Sequence, residues 1–200
     1  MHAEAVVPHD EHHHHDTDAT DVFGFWLYIM TDCILFGSLF ATFIVLNSTG
    51  MQASGLKSHL NLYDILIESM LLLASNFTFC LAALNLYKQK LLKVQLWLAT
   101  SFILGASFVV MEVTEFYHLS KEGFRWDLNG QASSFFTLVG THGLHVTFGL
   151  IWILMLIIQI PILKMNKVAR RRMTYLGLFW NFLDIVWIFV FTIVYLMGAI

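Results

Sequence analysis

"SSFFTLVGTHGLHVTFGLIWILMLIIQI", residues 133–160, contains no Asp, Glu, Lys or Arg. At 1.5 Å of rise per residue, a helix of this length crosses the roughly 30 Å hydrocarbon layer of a bilayer, for which about 20 apolar residues suffice. A buried helix of a soluble domain usually keeps a polar stripe, and a transmembrane strand alternates apolar with polar residues. This run does neither. The polar groups near its middle are Thr141, His142, His145 and Thr147, set among glycine, leucine, valine and phenylalanine.

Four further runs of the same kind lie on either side. In chain order the five extend from Val22 to Leu46, Leu62 to Leu86, Val94 to Leu119, Ser133 to Ile160 and Met173 to Ile200. The fold class is therefore all-α, a polytopic membrane protein with five transmembrane helices. Composition leads to the same place: of 200 residues, 58% are hydrophobic and 12% charged, more apolar surface than a soluble domain of this size can hide. Residues 22–200 form one transmembrane domain. No soluble domain, internal repeat, phosphate-binding glycine loop or nucleic-acid patch is visible in the sequence.

Residues 1–21 read differently. The stretch "HDEHHHHDTDATD", residues 9–21, is acidic and histidine-rich with almost no apolar residue, so it is expected to be a disordered, solvated tail. Its imidazoles are transition-metal ligands in kind, but composition alone defines no site. The first apolar run follows this acidic segment instead of a basic one and ends without a small-residue cleavage signal, so it is expected to stay in the mature chain.

Orientation follows from the basic residues. Lys88, Lys90, Lys93, Lys164, Lys167, Arg170, Arg171 and Arg172 fall on one side, and Lys57, Lys121 and Arg125 on the other. The side rich in Lys and Arg is normally cytoplasmic, which places the N-terminus in the cytoplasm and the C-terminus outside. Phe25, Trp26, Trp126 and Tyr175 near the run ends fit interfacial anchors. Cys33 and Cys80 stand alone on separate runs and are expected to be small buried apolar residues.

The informative residues are the polar ones inside the runs. An ionisable group at mid-bilayer costs about 2.5–3.5 kcal/mol or more, so each should face protein or water and have a partner. They are Asp32, Asp64, Glu68, Glu112, Glu115, His118, His142, His145 and Asp184, joined by the amide of Asn181. Counting rise from the run ends puts Glu68, Glu112 and His142 in one layer, and Asp32, His145 and Asp184 in a second nearer the midplane. Helical spacing also gathers small and polar residues into stripes: His142, His145 and Gly149; Asp64, Glu68 and Ser75; Ser101, Gly105, Glu112 and Glu115; Gly177, Asn181 and Asp184.

Three meanings are open for that interior. A metal site is suggested by Glu115 and His118 at the Glu-x-x-His spacing of di-iron bundles, but such sites need two such pairs and only one is present. Proton translocation uses carboxylates and histidines inside helices, though transport folds often carry broken helices and repeats. The third meaning is interhelical packing, in which polar residues bond across and small ones let backbones approach. From the residues alone the protein is a five-helix membrane protein, a subunit of something larger.

A resemblance extends this. "FGFWLYIMTDCILFGSLFATF" (23–43), "ESMLLLASNFTF" (68–79), "GASFVVMEVTEFYHL" (105–119), "FFTLVGTHGLHVTFGLIW" (135–152) and "LFWNFLDIVWIFVFTIVYLMGAI" (178–200) resemble subunit III of the haem-copper terminal oxidases. The likeness covers all five runs in order. With five helices, a short histidine-rich start and the ending "VYLMGAI", the chain looks most like the quinol-oxidising, cytochrome bo branch, whereas cytochrome c oxidase members typically have two more N-terminal helices.

The resemblance implies a bacterial inner-membrane complex that oxidises ubiquinol, reduces oxygen to water and pumps protons. This chain would be its cofactor-free accessory subunit, packed on subunit I, which holds the haem and copper, with subunits II and IV as further partners and phospholipid in a cleft between helices. Glu68 matches the family's buried carboxylate that carbodiimides label. Glu115 with His118, and His142 with His145, match two of its motifs. Asn181 stands where the family usually has histidine, and Tyr117 where a first histidine often stands. An amide keeps hydrogen-bonding capacity but takes up no charge at physiological pH. These residues, with Asp32, Glu112 and Asp184, are expected to form a buried polar network in which His142 lies near Glu68 or Glu112, and His145 near Asp184 or Asp32.

Overall fold

A computed structural model describes residues 12–48, 62–88, 90–121, 123, 126–127, 129–163 and 167–196. Lys57, Arg125, Lys164 and the first eleven residues of the tail lie outside the described residues. Five helices carry the chain: α1 (His12–Ser48), α2 (Leu62–Tyr87), α3 (Leu91–Lys121), α4 (Gly130–Leu163) and α5 (Lys167–Val190). The last continues as a turn of π-helix, Phe191–Leu196. All five include stretches long and apolar enough to span a membrane: Val22–Asn47, Tyr63–Tyr87, Leu91–Lys121, Gly130–Pro161 and Val168–Tyr195.

The ends sit within a few residues of those expected, because each span is set by where apolar residues stop. The exceptions are α1, which begins at His12, so that residues 12–21, expected to be disordered, are helical, and α5, which begins at Lys167, six residues ahead of the expected Met173. Pro161 lies in the final turn of α4, where it has no N–H to give to the preceding turn.

The chain divides into two compact units, Met1–Leu35 and Phe36–Ile200. In the first, the described residues are the leading part of α1, where Phe25 and Tyr28 rings lie 6.1 Å apart and the Thr31 hydroxyl donates to the Tyr28 carbonyl at 2.7 Å. In the second, α2 packs on α3, α3 on α4, α4 on α5 and α5 back on α2, so four helices close a ring. The end of α1 joins this unit: the Gln131 amide donates to Asn47 Oδ1 at 2.7 Å, and Phe40 meets Phe189 edge to face at 6.3 Å.

The ring closes tightly because small residues sit where helices cross. Ser75 donates to the Ser101 carbonyl at 2.8 Å and Ser101 to the Ser75 carbonyl at 2.9 Å, an interhelical clasp between α2 and α3. The Trp180 ring fills the space that a side chain at Gly149 would occupy, and Leu150 with Trp180 fills that at Gly105. Such small-residue contacts are how helices approach in lipid, where apolar burial between helices brings no gain over lipid contact. For the same reason large apolar residues remain on the outside, Leu92 at 77% and Phe77 at 65% exposure among them. Cys33 and Cys80, expected to be buried, are both exposed. A thiol facing hydrocarbon loses nothing by staying there, so no force drives it inward.

Candidate functional site: a buried carboxyl layer and an aromatic histidine

One turn along α2 from the exposed Asp64 comes Glu68, which is buried; on α3 Glu112 is buried and Glu115 half-buried. Helical spacing keeps each pair on one side of its helix, and the packing of α2 on α3 brings the two pairs together. Glu68 is within electrostatic reach of Glu115 and Asp64, and Glu112 of Glu68 and Glu115. The Glu112 carboxyl lies against the α4 backbone at Gly143, where a Cβ would stand 2.5 Å from Oε2 and 2.6 Å from Oε1. Gly143 is therefore glycine because the carboxyl occupies its side-chain space.

Tyr195 completes this layer from the π turn. It is fully buried, and its hydroxyl engages Glu115 and faces Glu68 and Glu112. Glu68 Oε2 and Glu112 Oε1 are buried without a partner. Sequence reading missed Tyr195: a tyrosine at a run end reads as an interfacial anchor, and no periodicity announces a π turn.

His142 is buried beside this layer, next to Gly143, but in a box of rings. It stacks on Trp187 at 5.1 Å and meets Phe108 at 6.1 Å and Phe36 at 6.3 Å edge to face. Neither ring nitrogen has a hydrogen-bond partner, so the expected cross-helix bonding of this residue is replaced by aromatic packing. Trp187 is fixed in turn by its indole N–H, which donates to the Ser69 hydroxyl at 3.0 Å. His145 turns to its own helix, with Nδ1 2.7 Å from the Thr141 carbonyl, and its ring lies 5.2 Å from Phe36.

Nearer the other end, the Asn76 amide donates to Asn181 Oδ1 at 2.8 Å, and Asp184, one turn beyond Asn181, is buried beside Asn76. Asn76 was overlooked in the sequence, although an asparagine inside an apolar run is itself a signal. Asp32 lies in the first unit, one turn after Tyr28, whose hydroxyl it engages. His118 is exposed at the end of α3 and lies outside the buried layer. The Glu115–His118 pair thus does not point to one centre. Among the described residues no three His, Cys, Asp or Glu are arranged to hold a metal ion; the donor set does not fit one.

A cleft of ≈ 190 Å³ opens between α2 and α5. Phe79, Ala83, Leu86 and Met173 give it apolar walls, and Arg170 and Thr174 stand in its lining. The Arg170 guanidinium lies 5.9 Å from the centre of the Tyr87 ring, a cation–π geometry.

Comparison with known proteins places this arrangement. The family model for cytochrome c oxidase subunit III matches residues 4–199. The chain is 50% identical to cytochrome bo(3) ubiquinol oxidase subunit 3 of Pseudomonas aeruginosa over 97% of its own length and 93% of that relative. It is also 50% identical to the protein of that name from Pseudomonas putida, over 93% and 90% of the two chains. It is 39% identical to cytochrome c oxidase subunit 3 of Bacillus subtilis, over 88% and 86%. Five apolar helices in one order, matched nearly end to end, make this chain a member of the cytochrome c oxidase subunit III family.

Proposed function

We propose that this chain is the accessory third subunit of a cytochrome bo type ubiquinol oxidase in a bacterial inner membrane. The whole complex would oxidise ubiquinol, reduce oxygen to water and pump protons, with haem and copper held by subunit I. The observation that carries the reading is 50% identity to bo(3) subunits across nearly the full chain. The runner-up, subunit III of a cytochrome c oxidase, rests on the Bacillus subtilis relative. Helix number does not separate the two, since this five-helix chain covers 86% of that relative; the difference in identity favours the quinol branch.

In this role the chain supplies packing, not electron chemistry. Subunit I is the main partner, with subunits II and IV completing the assembly, and residues 1–21 form a cytoplasmic tail ahead of the domain at 22–200. The N-terminus is cytoplasmic and the C-terminus periplasmic, on the strength of eight Lys and Arg against three. Asp32, Glu68, Glu112, Glu115, His118, His142, His145, Asn181 and Asp184 are read as structural polar residues, not ligands.

The chain also binds phospholipid. The α2–α5 cleft supports this reading: its apolar walls suit an acyl chain, and Arg170 with Thr174 suits a phosphate. Arg170→Ala should lower the phospholipid retained by the purified complex, as read by mass spectrometry.

Native purification by a tag on this chain tests the whole reading. It predicts co-purification of haem-containing subunits whose ubiquinol oxidase activity decays faster when this chain is absent. Recovery of the chain alone, or with a cytochrome c-oxidising partner, would reject it.

A further inference from the structure

The carboxyl layer holds more unpartnered polar atoms than packing explains. Glu68 Oε2 and Glu112 Oε1 are buried without a hydrogen-bond partner, and beside them Glu115 engages the Tyr195 hydroxyl; the four groups lie within electrostatic reach of one another. Buried polar groups in native proteins are satisfied by protein or by ordered water. Among the described residues, the titratable groups that face one another here are Asp64 and Glu68 on α2, Glu112 and Glu115 on α3 and Tyr195 on the π turn.

We propose that Glu68, Glu112, Glu115 and Tyr195 enclose a binding site for internal water, a small hydrogen-bonded cluster held between α2, α3 and the π turn. Water fits where a metal does not, because the described residues form no metal-ligand set, whereas a buried water typically makes about three hydrogen bonds to groups left otherwise unsatisfied. Tyr195 is 0% exposed and turns its hydroxyl toward three carboxyls from a π turn, a local winding frequent at functional sites.

A route for water is graded along the same side chains. Glu68 and Glu112 are buried, Glu115 is half-buried and Asp64 is exposed, so polar groups lead inward from the end of the bundle where α2 starts and α3 stops. Apolar side chains close the other direction: Phe108 and Trp187 meet edge to face at 4.7 Å and His142 lies stacked on Trp187. The cluster is thus expected to exchange with the aqueous phase on one side only. This inference does not depend on which oxidase the chain belongs to.

Synchrotron radiolytic labelling in ¹⁸O water, followed by mass spectrometry, tests it on the chain purified with the subunits that accompany it. Bound water should oxidise Tyr195 despite its burial, at least tenfold faster than the equally buried Phe43, whose side chain has no polar atom. Labelling of Tyr195 no faster than Phe43 would overturn the proposal. A density map of the same preparation supplies a check free of mutation. Peaks about 2.6–3.2 Å from at least two of the four groups are expected, and direct carboxyl–carboxyl contact with nothing between would contradict them.

Discussion

Replacing Gly149 by alanine probes the tightest crossing in the bundle. A Cβ there would stand 2.5 Å from Trp180 Cζ3, 2.8 Å from Cε3 and 3.3 Å from Phe179 Cε1, while ordinary carbon–carbon contact is about 3.5–4.0 Å. The ring must therefore retreat by about 1 Å. It has little room, because Trp180 is 1% exposed and lies packed between Gly149 on α4 and Gly105 on α3. Forcing extra volume into a packed core costs about 1–3 kcal/mol. Against this, alanine gains about 0.5–1 kcal/mol over glycine in helix propensity. The control removes that term: Gly37 has nothing within 4 Å of its Cβ position, so Gly37→Ala shows propensity alone. Reversible unfolding in mixed micelles, followed by tryptophan fluorescence, should place Gly149→Ala about 1–3 kcal/mol below Gly37→Ala. Adding Trp180→Phe to Gly149→Ala should recover part of the loss. Equal stability of the two alanine variants would refute the wedged-ring reasoning.

Other expectations concern the polar contacts. Ser75→Ala and Ser101→Ala should each lower stability by about 0.6 kcal/mol, with less than additive loss in the double variant; full additivity would show that the clasp is not one unit. His142→Leu, near in volume and without hydrogen bonds to lose, should cost less than about 1.5 kcal/mol, whereas His142→Ala leaves a cavity beside Trp187 and should cost about 2–5 kcal/mol. A large penalty for leucine would mean that a ring nitrogen is engaged after all. Asn181→Leu should cost less than about 1 kcal/mol, because the Asn76 amide keeps Asp184 as a partner; adding Asn76→Leu should deepen the loss by leaving Asp184 without that bond, and recovery in the double variant would contradict this.

The five spans could be read from the sequence because hydrocarbon imposes a length of about 20 apolar residues, a constraint that owes nothing to tertiary contacts. The carboxyl layer was legible for a related reason: Glu68 and Glu112 are too costly to face lipid, and rise per residue set their common depth. What bonds to what was not legible. His142 and Glu112 share a layer, yet the imidazole sits among Trp187, Phe108 and Phe36 while the carboxyl lies on Gly143. Depth and face fix a residue's neighbourhood but not its rotamer. Gly105 and Gly149 stood out as sites of close approach, but what approaches them is side chains, the Trp180 indole at both and Leu150 at Gly105, and not a backbone. Tyr195 escaped because the π turn shifts its direction away from α-helical spacing.

The central claim is that this polypeptide carries no redox centre and works beside one that does. Metal analysis and a visible spectrum, taken on the natively purified assembly and again on this chain after release from it, test that directly. Haem bands and copper should stay entirely with the partner fraction, leaving this chain colourless. Stoichiometric iron or copper remaining with the released chain would contradict the account.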